Sequence, residues 1–263
     1  MKDYYLYRKA WRFKGLPHEE QPLSKAEIKS MLRQGGLMVR NTYDFDQVKE
    51  SHFWYLVKDH HENLESLSSN TRHKVRKALE SLDYQIVNKD YILKNDGLKH
   101  YKVSLEEHHT TSASDYIEDF LFWLKQDNTE CWAIFDKASH DYAGFAINSI
   151  SDRGCDYKIF CVFPQYRHNA PYTFYGLIYR MNEYYLQEKG FRYVTDGSRS
   201  ITEHSNIQGF LEEKYHFRKA YCQLKVYFRW WMGLAVKMLY PLRNRISSPS
   251  VKAILRMEEM SRN

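Results

Sequence analysis

Residues 162–178 read VFPQYRHNAPYTFYGLI, and within these seventeen residues the pattern changes from strand to loop to helix. Pro164 ends the apolar run, because proline has no N–H for a continuing strand. Pro171 is predicted to open a helix, where the missing N–H would have no partner in any case. The apolar residues of one helix face follow at Phe174, Leu177, Ile178, Met181 and Tyr185. This stretch therefore predicts a helix that packs one face against a sheet.

The segments on either side continue this alternation of strands and helices. Three short runs before it have the apolar and aromatic content of strands, namely CWAIF at 131–135, AGFAINSI at 143–150 and YKIFCVF at 157–163. Two amphipathic helices precede these runs, and a strand, a helix and a strand follow the stretch as far as residue 228. The order predicts an α/β fold, in which a mixed central sheet carries helices on its faces.

The composition indicates a folded and mildly basic protein. Of 263 residues, 43% are hydrophobic and 16% aromatic, which excludes the low hydrophobicity of a disordered chain. The net charge of +6 suits an anionic partner but selects none. The four cysteines have no Cys-x-x-Cys spacing, so we expect reduced thiols and no metal site. The chain has neither a run of 18 apolar residues nor a signal-peptide core at its start, so we expect a cytoplasmic protein.

A basic helix is predicted across residues 62–82, and it carries two arginines four residues apart. On a helical wheel Val75 and Ala78 belong to an apolar stripe, and Arg72 and Arg76 lie at one margin of it. Two guanidinium groups held beside a packed surface can clamp a phosphate or carboxylate of a substrate. The alternative is an ion pair with an acidic side chain of the same protein. The residues alone leave both interpretations open.

A polar loop follows a predicted strand end and carries Asp196, Arg199, His204 and Asn206. In open α/β sheets ligands bind beyond the carboxyl ends of the strands, where Asp196 is expected. Attack on a carbonyl group needs a base for the proton of the attacking group and donors for the developing oxyanion. Asp196 or His204 suits the first task, Asn206 or backbone N–H groups suit the second, and Arg199 adds a donor. Alternatively the loop is a connection in which Arg199 pairs with Asp196.

The residues after this loop predict a helix. Ser205 and Gln208 have the spacing of a capping box, and the apolar residues beyond them recur at helical spacing. Tyr215 stands near the end of this helix, where it either contacts a substrate or packs in the core. The sequence does not separate these two roles.

The element order, with these residues on it, resembles the GCN5-related N-acetyltransferase (GNAT) superfamily over roughly residues 84–228. Residues 162–178 are similar to its strand, Pro-x-Tyr-Arg segment and helix, and SNIQGFLEEKYHFRKAY at 205–221 to its next helix and strand. The chain differs at 168–171, His-Asn-Ala-Pro, where the superfamily usually has glycines, and at Glu212, where it frequently has an acid tyrosine. The resemblance implies that the acyl donor contacts Tyr166, Arg167, His168 and Asn169.

The segment LESLSSNTRHKVRKALES at 64–81 resembles one in the Fem-type peptidoglycan aminoacyltransferases and their acetyltransferase-like relatives. That resemblance implies a GNAT-type fold, often doubled, and aminoacyl-tRNA as a donor. It also implies three segments: an abbreviated amino-terminal α/β portion carrying the basic helix at 1–95, a GNAT-like acyltransferase domain at 96–228, and a helical tail at 229–263.

The tail is aromatic and basic, beginning RWWMGLAVKMLYPLRNR at residue 229. We expect it to dock on the amino-terminal half, because an abbreviated first portion needs covering. The alternative is a peripheral membrane contact, with Trp230 and Trp231 at the interface and Lys237, Arg243 and Arg245 near lipid phosphates.

The expected function is transfer of an acyl or aminoacyl group from acyl-CoA or aminoacyl-tRNA to an amine, without a metal. The acceptor is expected to be a small molecule or a lipid-linked precursor of the cell envelope or of a polysaccharide, which would bring the protein to the inner face of the membrane. Two alternatives stay open. One is a catalytically inactive binding protein of the same fold, and the other is an RNA-binding module that uses the basic helix and exposed tyrosines.

Overall fold

The structure is a computed structural model that describes residues 3–107, 113–151, 153–167, 171–201 and 206–262. Its strands are β1 (Tyr4–Tyr7), β2 (Ala10–Phe13), β3 (Met38–Gln47), β4 (Trp54–Lys58), β5 (Leu82–Val87), β6 (Thr129–Asp136), β7 (Tyr142–Ile150), β8 (Gly154–Val162), β9 (Tyr193–Ser198) and β10 (Arg218–Phe228). Its helices are α1 (Lys25–Arg33), α2 (Ser69–Ser81), α3 (Lys89–Lys94), α4 (Gly97–Glu107), α5 (Ala113–Leu124), α6 (Thr173–Asn182), α7 (Ile207–Tyr215), α8 (Trp230–Leu239) and α9 (Pro249–Met260).

The chain divides into two compact units that interleave along the sequence. The first unit comprises residues 1–56, 198–203 and 219–263, and the second comprises 57–197 and 204–218. The sequence predicts three consecutive segments bounded near residues 95 and 228, whereas the chain leaves the first unit, builds the second and then returns. Contacts between residues far apart in sequence decide this division.

The first unit has a mixed sheet. β1 and β2 form an antiparallel hairpin, β2 pairs parallel with β3, and β3 pairs antiparallel with β10. This hairpin was not predicted, because its turn is Arg8-Lys9, with φ of 49° and 62°, rather than the glycine or asparagine usual at positive φ. Helix α1 was also missed, although Ser24 and Glu27 form a capping box at its start.

The carboxy-terminal tail packs within the first unit, as expected. Met232 and Val236 of α8 and Leu255 of α9 are buried in one core with Met38 and Phe53. Because α8 and α9 cover these amino-terminal residues, the docking predicted from the abbreviated first portion is confirmed.

The second unit is built on an antiparallel meander, β5–β6–β7–β8, followed by β9, which is parallel to β8. Its interior strands are buried over most of their length. The prediction of a mixed sheet flanked by helices is therefore confirmed. Two details of the predicted order differ: α3 is an additional helix between β5 and α4, and the last predicted strand, β10, belongs almost entirely to the first unit.

Helix α6 approaches the sheet and α2 closely at Gly176. A Cβ atom there would collide with the Tyr84 hydroxyl and lie 2.7 Å from the Ala78 Cβ. The Tyr84 hydroxyl uses this space to donate to the Thr173 carbonyl at 3.1 Å. The helix begins at Thr173, two residues later than Pro171 predicts, and a π-helical segment (Glu183–Glu188) continues it almost to Gly190, which has φ +66°.

Candidate active site

The parallel strands β8 and β9 of the second unit are paired only at their starts. Their register runs from Gly154↔Tyr193 to Asp156↔Thr195. Beyond this point β8 continues for six residues to Val162, paired with β7 on its other side. The β8–β9 pair therefore opens toward the carboxyl ends of the two strands, which is where open α/β sheets bind ligands.

Asp196 follows the last paired residue of β9 and stands at this opening. Its carboxylate accepts a hydrogen bond from the Gln208 side chain of α7. Burial, and then repulsion from the Asp156 carboxylate, raise the pKa of Asp196 well above its ordinary range, against the opposing effects of Gln208 and Lys158. A carboxyl group in this setting exchanges protons at higher pH than an ordinary aspartate, as is common at catalytic sites.

Asp156, which is buried, and Lys158, which is partly exposed, form an ion pair two residues apart on β8. Burial raises the pKa of Asp156, and the charge of Lys158 opposes that rise. The Lys158 ammonium also lies 4.3 Å from the centroid of the Trp123 ring, in cation–π geometry. Its charge thus acts on both Asp156 and Asp196 from a position held by two contacts.

A buried tyrosine ties α6 to β8 beside these carboxyl groups. The Tyr157 hydroxyl donates to Asn182 Oδ1 at 2.8 Å, and both side chains are buried. Burial, and then the Cys155 and Asp196 charges, raise the pKa of Tyr157 well above its ordinary range. Tyr157 therefore stays neutral and holds the wall of the site in place.

Comparison with solved structures identifies the fold. FemX superposes with a TM-score of 0.54 at 11% identity, over 78% of this chain and 75% of FemX. The C-terminal domain of a candidate lysylphosphatidylglycerol synthetase from Agrobacterium fabrum superposes with a TM-score of 0.52 at 11% identity, over 85% of this chain and 78% of that domain. The chain shares the fold of these two proteins, and the fold expected from the sequence resemblance is confirmed. No family model matches the sequence, and no curated protein matches it.

Within this fold, the predicted donor-binding residues follow β8. Thr173 Oγ1 donates to the Tyr166 carbonyl at 2.8 Å, which fixes the start of α6 relative to the preceding loop. The Arg167 guanidinium donates to the Val162 carbonyl at 3.1 Å and to Ser104 Oγ at 3.2 Å. His168 and Asn169 lie outside the described residues, so donor binding by these four residues stays a prediction.

Tyr215 lies in the core at the end of α7. It is 1% exposed, and its hydroxyl donates to the Tyr175 carbonyl at 2.5 Å. These contacts fix α7 against α6 and thereby support Gln208, which lies two turns earlier on α7. The substrate contact predicted for Tyr215 stays a prediction, and the packing alternative accounts for its observed contacts.

The arginine pair of α2 has an acidic partner within the second unit. Arg76 Nη2 donates to Glu65 Oε1 at 2.9 Å, and Arg72 Nη1 lies 3.7 Å from Glu65 Oε2. This is the intramolecular ion pair that the sequence left open. Because Glu65 is two-thirds exposed, the pair is weak and does not exclude a competing anion.

The other predicted catalytic residues have different surroundings. Arg199 belongs to the first unit, where its Nη1 donates to the His52 carbonyl at 2.7 Å and its backbone N–H to the Trp54 carbonyl at 2.8 Å. Asn206 is exposed and is the N-cap of α7, without a side-chain cap bond. His204 lies outside the described residues. The catalytic roles of these three residues stay predictions.

The capping box predicted for this helix involves Ser205, which lies outside the described residues. The N-cap of α7 is Asn206, and the Gln208 side chain bonds to the Asp196 carboxylate. Gln208 thus contributes to the site rather than to the helix start.

Sequence reasoning missed Asp156, Lys158 and Gln208. A signal for the first two exists, since the run CDYK places opposite charges two residues apart in an apolar strand, where they share one face. An ion pair inside a buried strand is costly, so it is more often functional than a surface pair. No sequence signal connects Gln208 to Asp196, because the contact depends on where α7 packs.

The cysteines are buried and free, as expected. Burial raises the pKa of Cys131 and of Cys222 to about 12, so neither thiol is a ready nucleophile. Among the residues that the structure describes, no helix has the length and apolar character to cross a bilayer. The same residues contain no group of three or more His, Cys, Asp or Glu side chains arranged to hold a metal ion.

Proposed function

We propose that the protein transfers an acyl or aminoacyl group to an amine, at the opening between β8 and β9. The observation that carries the proposal is Asp196, a carboxyl group with a strongly raised pKa at the ends of two diverging parallel strands. A fold shared with FemX and with a candidate lysylphosphatidylglycerol synthetase domain supports the reaction class.

The proposed reaction is direct transfer. The amine nitrogen attacks the donor carbonyl, a new C–N bond forms, and the C–S bond of a thioester or the C–O bond of an ester breaks. Asp196 in its carboxylate form accepts the amine proton, and the same proton, returned from Asp196 directly or through water, neutralises the leaving thiolate or alkoxide. Asn206 and backbone N–H groups at the start of α7 are proposed to donate to the oxyanion.

The donor is proposed to be acyl-CoA or aminoacyl-tRNA, and the acceptor an amine on a small molecule or on a lipid-linked precursor. The Agrobacterium fabrum neighbour is named as a lysylphosphatidylglycerol synthetase, and lysylphosphatidylglycerol contains an amino acid and a phospholipid. This supports an aminoacyl donor and a lipid-linked acceptor. A lipid-linked acceptor would also bring the protein to a membrane surface. Acyl-CoA is supported by the similarity of 162–178 to the GNAT donor-binding segment.

The test is transfer of labelled acyl groups from acyl-CoA, and of labelled amino acids from charged tRNA, to a panel of amines. Binding of each donor is measured by calorimetry, with uncharged tRNA as the comparison. We expect one donor to bind saturably and to yield an amide. Asn206→Ala is expected to lower transfer roughly 10²-fold, as for other oxyanion donors.

Asn95→Ala is the matched control, because Asn95 is also an exposed helix-end asparagine of the second unit. Equal transfer by Asn206→Ala and the wild type would remove Asn206 from the mechanism. Donor binding without any amide product would instead support the catalytically inactive binding protein. Binding of charged and uncharged tRNA alike, without product, would support the RNA-binding alternative.

A further inference from the structure

An apolar stripe is exposed along α8 in the first unit. Its members are Trp230 (79% exposed), Trp231 (47%), Leu234 (54%) and Met238 (70%). Trp230, Leu234 and Met238 are four residues apart and therefore share one helix face. The opposite face, with Met232 and Val236, is buried in the core. A contiguous exposed patch of large apolar side chains marks a binding surface rather than a random surface feature.

An open cavity of about 750 Å³ adjoins the start of this stripe. One wall is α1, where Lys25, Lys29 and Arg33 are exposed and four residues apart. The other wall includes Trp230 and Trp231. The cavity therefore places three cationic side chains opposite two indole rings, with apolar surface between them.

Arg229 fixes the two walls relative to each other. Its Nε donates to the carbonyl oxygens of Leu32 at 3.0 Å and Gly36 at 2.8 Å, and its backbone N–H donates to the Leu37 carbonyl at 3.0 Å. A guanidinium at the carboxyl end of α1 also complements the helix dipole. The end of α1 and the beginning of α8 are thus joined by hydrogen bonds, so the cationic and aromatic groups are presented together.

The surrounding sequence has a one-sided charge. Within the first unit, residues 219–257 have eight lysines and arginines and no aspartate or glutamate. The acidic residue of α1, Glu27, accepts hydrogen bonds from Ser24 in the capping box. The face is therefore complementary to an extended anionic surface.

We propose that this face, formed by the α8 stripe and the α1 lysines, binds the surface of a membrane that contains anionic phospholipid. Tryptophan and aliphatic side chains enter the boundary between headgroups and acyl chains, while lysine and arginine contact lipid phosphates. A free phosphate or an RNA would use the cations but leave Leu234 and Met238 in water. A second copy of the chain would bring like charges of the two α1 helices together. A bilayer that contains anionic phospholipid can contact both the apolar stripe of α8 and the lysines of α1.

The test is flotation of the full chain with vesicles, which needs no transferase activity and is therefore independent of the proposed reaction. The vesicles are phosphatidylcholine alone, or phosphatidylcholine with about one-third phosphatidylglycerol. We expect flotation with the anionic vesicles, weakened by salt. We expect partitioning to fall at least roughly tenfold in Trp230→Ala/Met238→Ala, and roughly twentyfold in Lys25→Glu/Lys29→Glu.

The matched controls lie in the second unit. Leu93→Ala/Val103→Ala removes two other exposed apolar side chains, and Lys99→Glu/Lys102→Glu reverses two other exposed lysines. Both are expected to float like the wild type. Iodide quenching of tryptophan fluorescence is a second readout, and anionic vesicles should protect the wild type.

Either of two flotation results would overturn the proposal. In the first, the wild type does not bind anionic vesicles; in the second, the α8 and α1 variants float as well as their controls. A dimer in sedimentation that Trp230→Ala/Met238→Ala dissociates would assign the stripe to a second copy. RNA binding lost in Lys25→Glu/Lys29→Glu, with flotation unchanged, would assign the lysines to RNA.

Discussion

Glu20 in the first unit is buried and Asp196 in the second unit is half-buried, and these two carboxyl groups have different neighbours. Glu20 of the first unit is 5% exposed and accepts hydrogen bonds from the Tyr4 hydroxyl at 3.0 Å, from Asn41 Nδ2 at 3.1 Å and from Thr42 Oγ1. Asp196 of the second unit accepts from Gln208 but stands beside a second carboxyl group, Asp156.

The difference separates a structural carboxylate from a reactive one. Several neutral donors hold the Glu20 carboxyl group in one position, which is how a buried polar network specifies a core. At Asp196, burial and then repulsion from the Asp156 carboxylate instead favour the protonated form, so this carboxyl group binds and releases its proton at a higher pH than an ordinary aspartate. Burial alone is therefore a poor guide to catalysis, and the identity of the neighbours decides.

The largest effect is expected for Asp196→Asn. This substitution keeps the shape but removes the base, so turnover should fall roughly 10²- to 10⁴-fold. At low pH, where Asp196 is protonated in both the folded and the unfolded state, the free energy of unfolding should change by less than about 1 kcal/mol, because no cavity and no unpaired charge are created. Transfer kinetics and urea denaturation of the same preparation measure both quantities. Asp127→Asn, at an exposed aspartate of the second unit, is the control. Unchanged turnover in Asp196→Asn would show that Asp196 is not the base, and the contrast with Glu20 would no longer hold.

Glu20→Ala should lower stability much more than it lowers turnover, which is the reverse of the behaviour expected for Asp196→Asn. The donors of Tyr4, Asn41 and Thr42 lose a charged acceptor in the core, which is expected to cost about 3 kcal/mol of unfolding free energy. Turnover per folded molecule should change far less than in Asp196→Asn. Thermal and urea denaturation measure the loss. A variant as stable as the wild type would show that Glu20 does not support the first unit.

The repulsion between the two aspartates can be tested through pH dependence. If the Asp196 carboxylate is the base, the rate rises with pH through its raised pKa. Asp156→Asn removes the neighbouring charge and lowers the pKa of Asp196, so the acid limb of the kcat/KM profile should move to lower pH. If the acid limb of the profile does not move in Asp156→Asn, its pKa belongs to a group other than Asp196.

Stability should depend on pH through the same group. Above about pH 4 an aspartate ionises in the unfolded chain, whereas the folded protein keeps Asp196 protonated up to its raised pKa. The unfolded state then binds fewer protons, so the contribution of Asp196 to stability falls as pH rises. Denaturation across this range should show the wild type losing stability relative to Asp196→Asn. A constant difference between the two would contradict the raised pKa.

The smallest effect is expected at the surface of the second unit. Arg76→Ala removes an ion pair with Glu65 that is mostly exposed, so the free energy of unfolding should change by less than about 0.5 kcal/mol. Glu65→Ala should have a similarly small effect and serves as its control. If Arg76→Ala also weakens donor or acceptor binding while Glu65→Ala does not, the clamp predicted for Arg72 and Arg76 is supported.

Much of the fold could be predicted because its signals are local. The prolines in 162–178, the helix face from Phe174 to Tyr185 and the apolar strands before them depend on backbone chemistry and on periodic burial. The hairpin of β1 and β2 could not be predicted in this way, because Arg8 and Lys9 carry no turn signal. Its stability comes from the pairing of β2 with β3, more than twenty residues away.

By itself, the sequence determined the mixed α/β order of elements and the presence of Asp196 at a strand end. It also determined that the aromatic carboxy-terminal tail packs on the amino-terminal part of the chain. The tertiary structure alone decided that Asp196 meets Asp156, Lys158 and Gln208, and that Arg76 meets Glu65. It also decided which face of α8 remains exposed. The physical reason is range: propensity and periodicity act within a few residues, whereas a pKa or an exposed patch depends on charges and surfaces that only packing brings together.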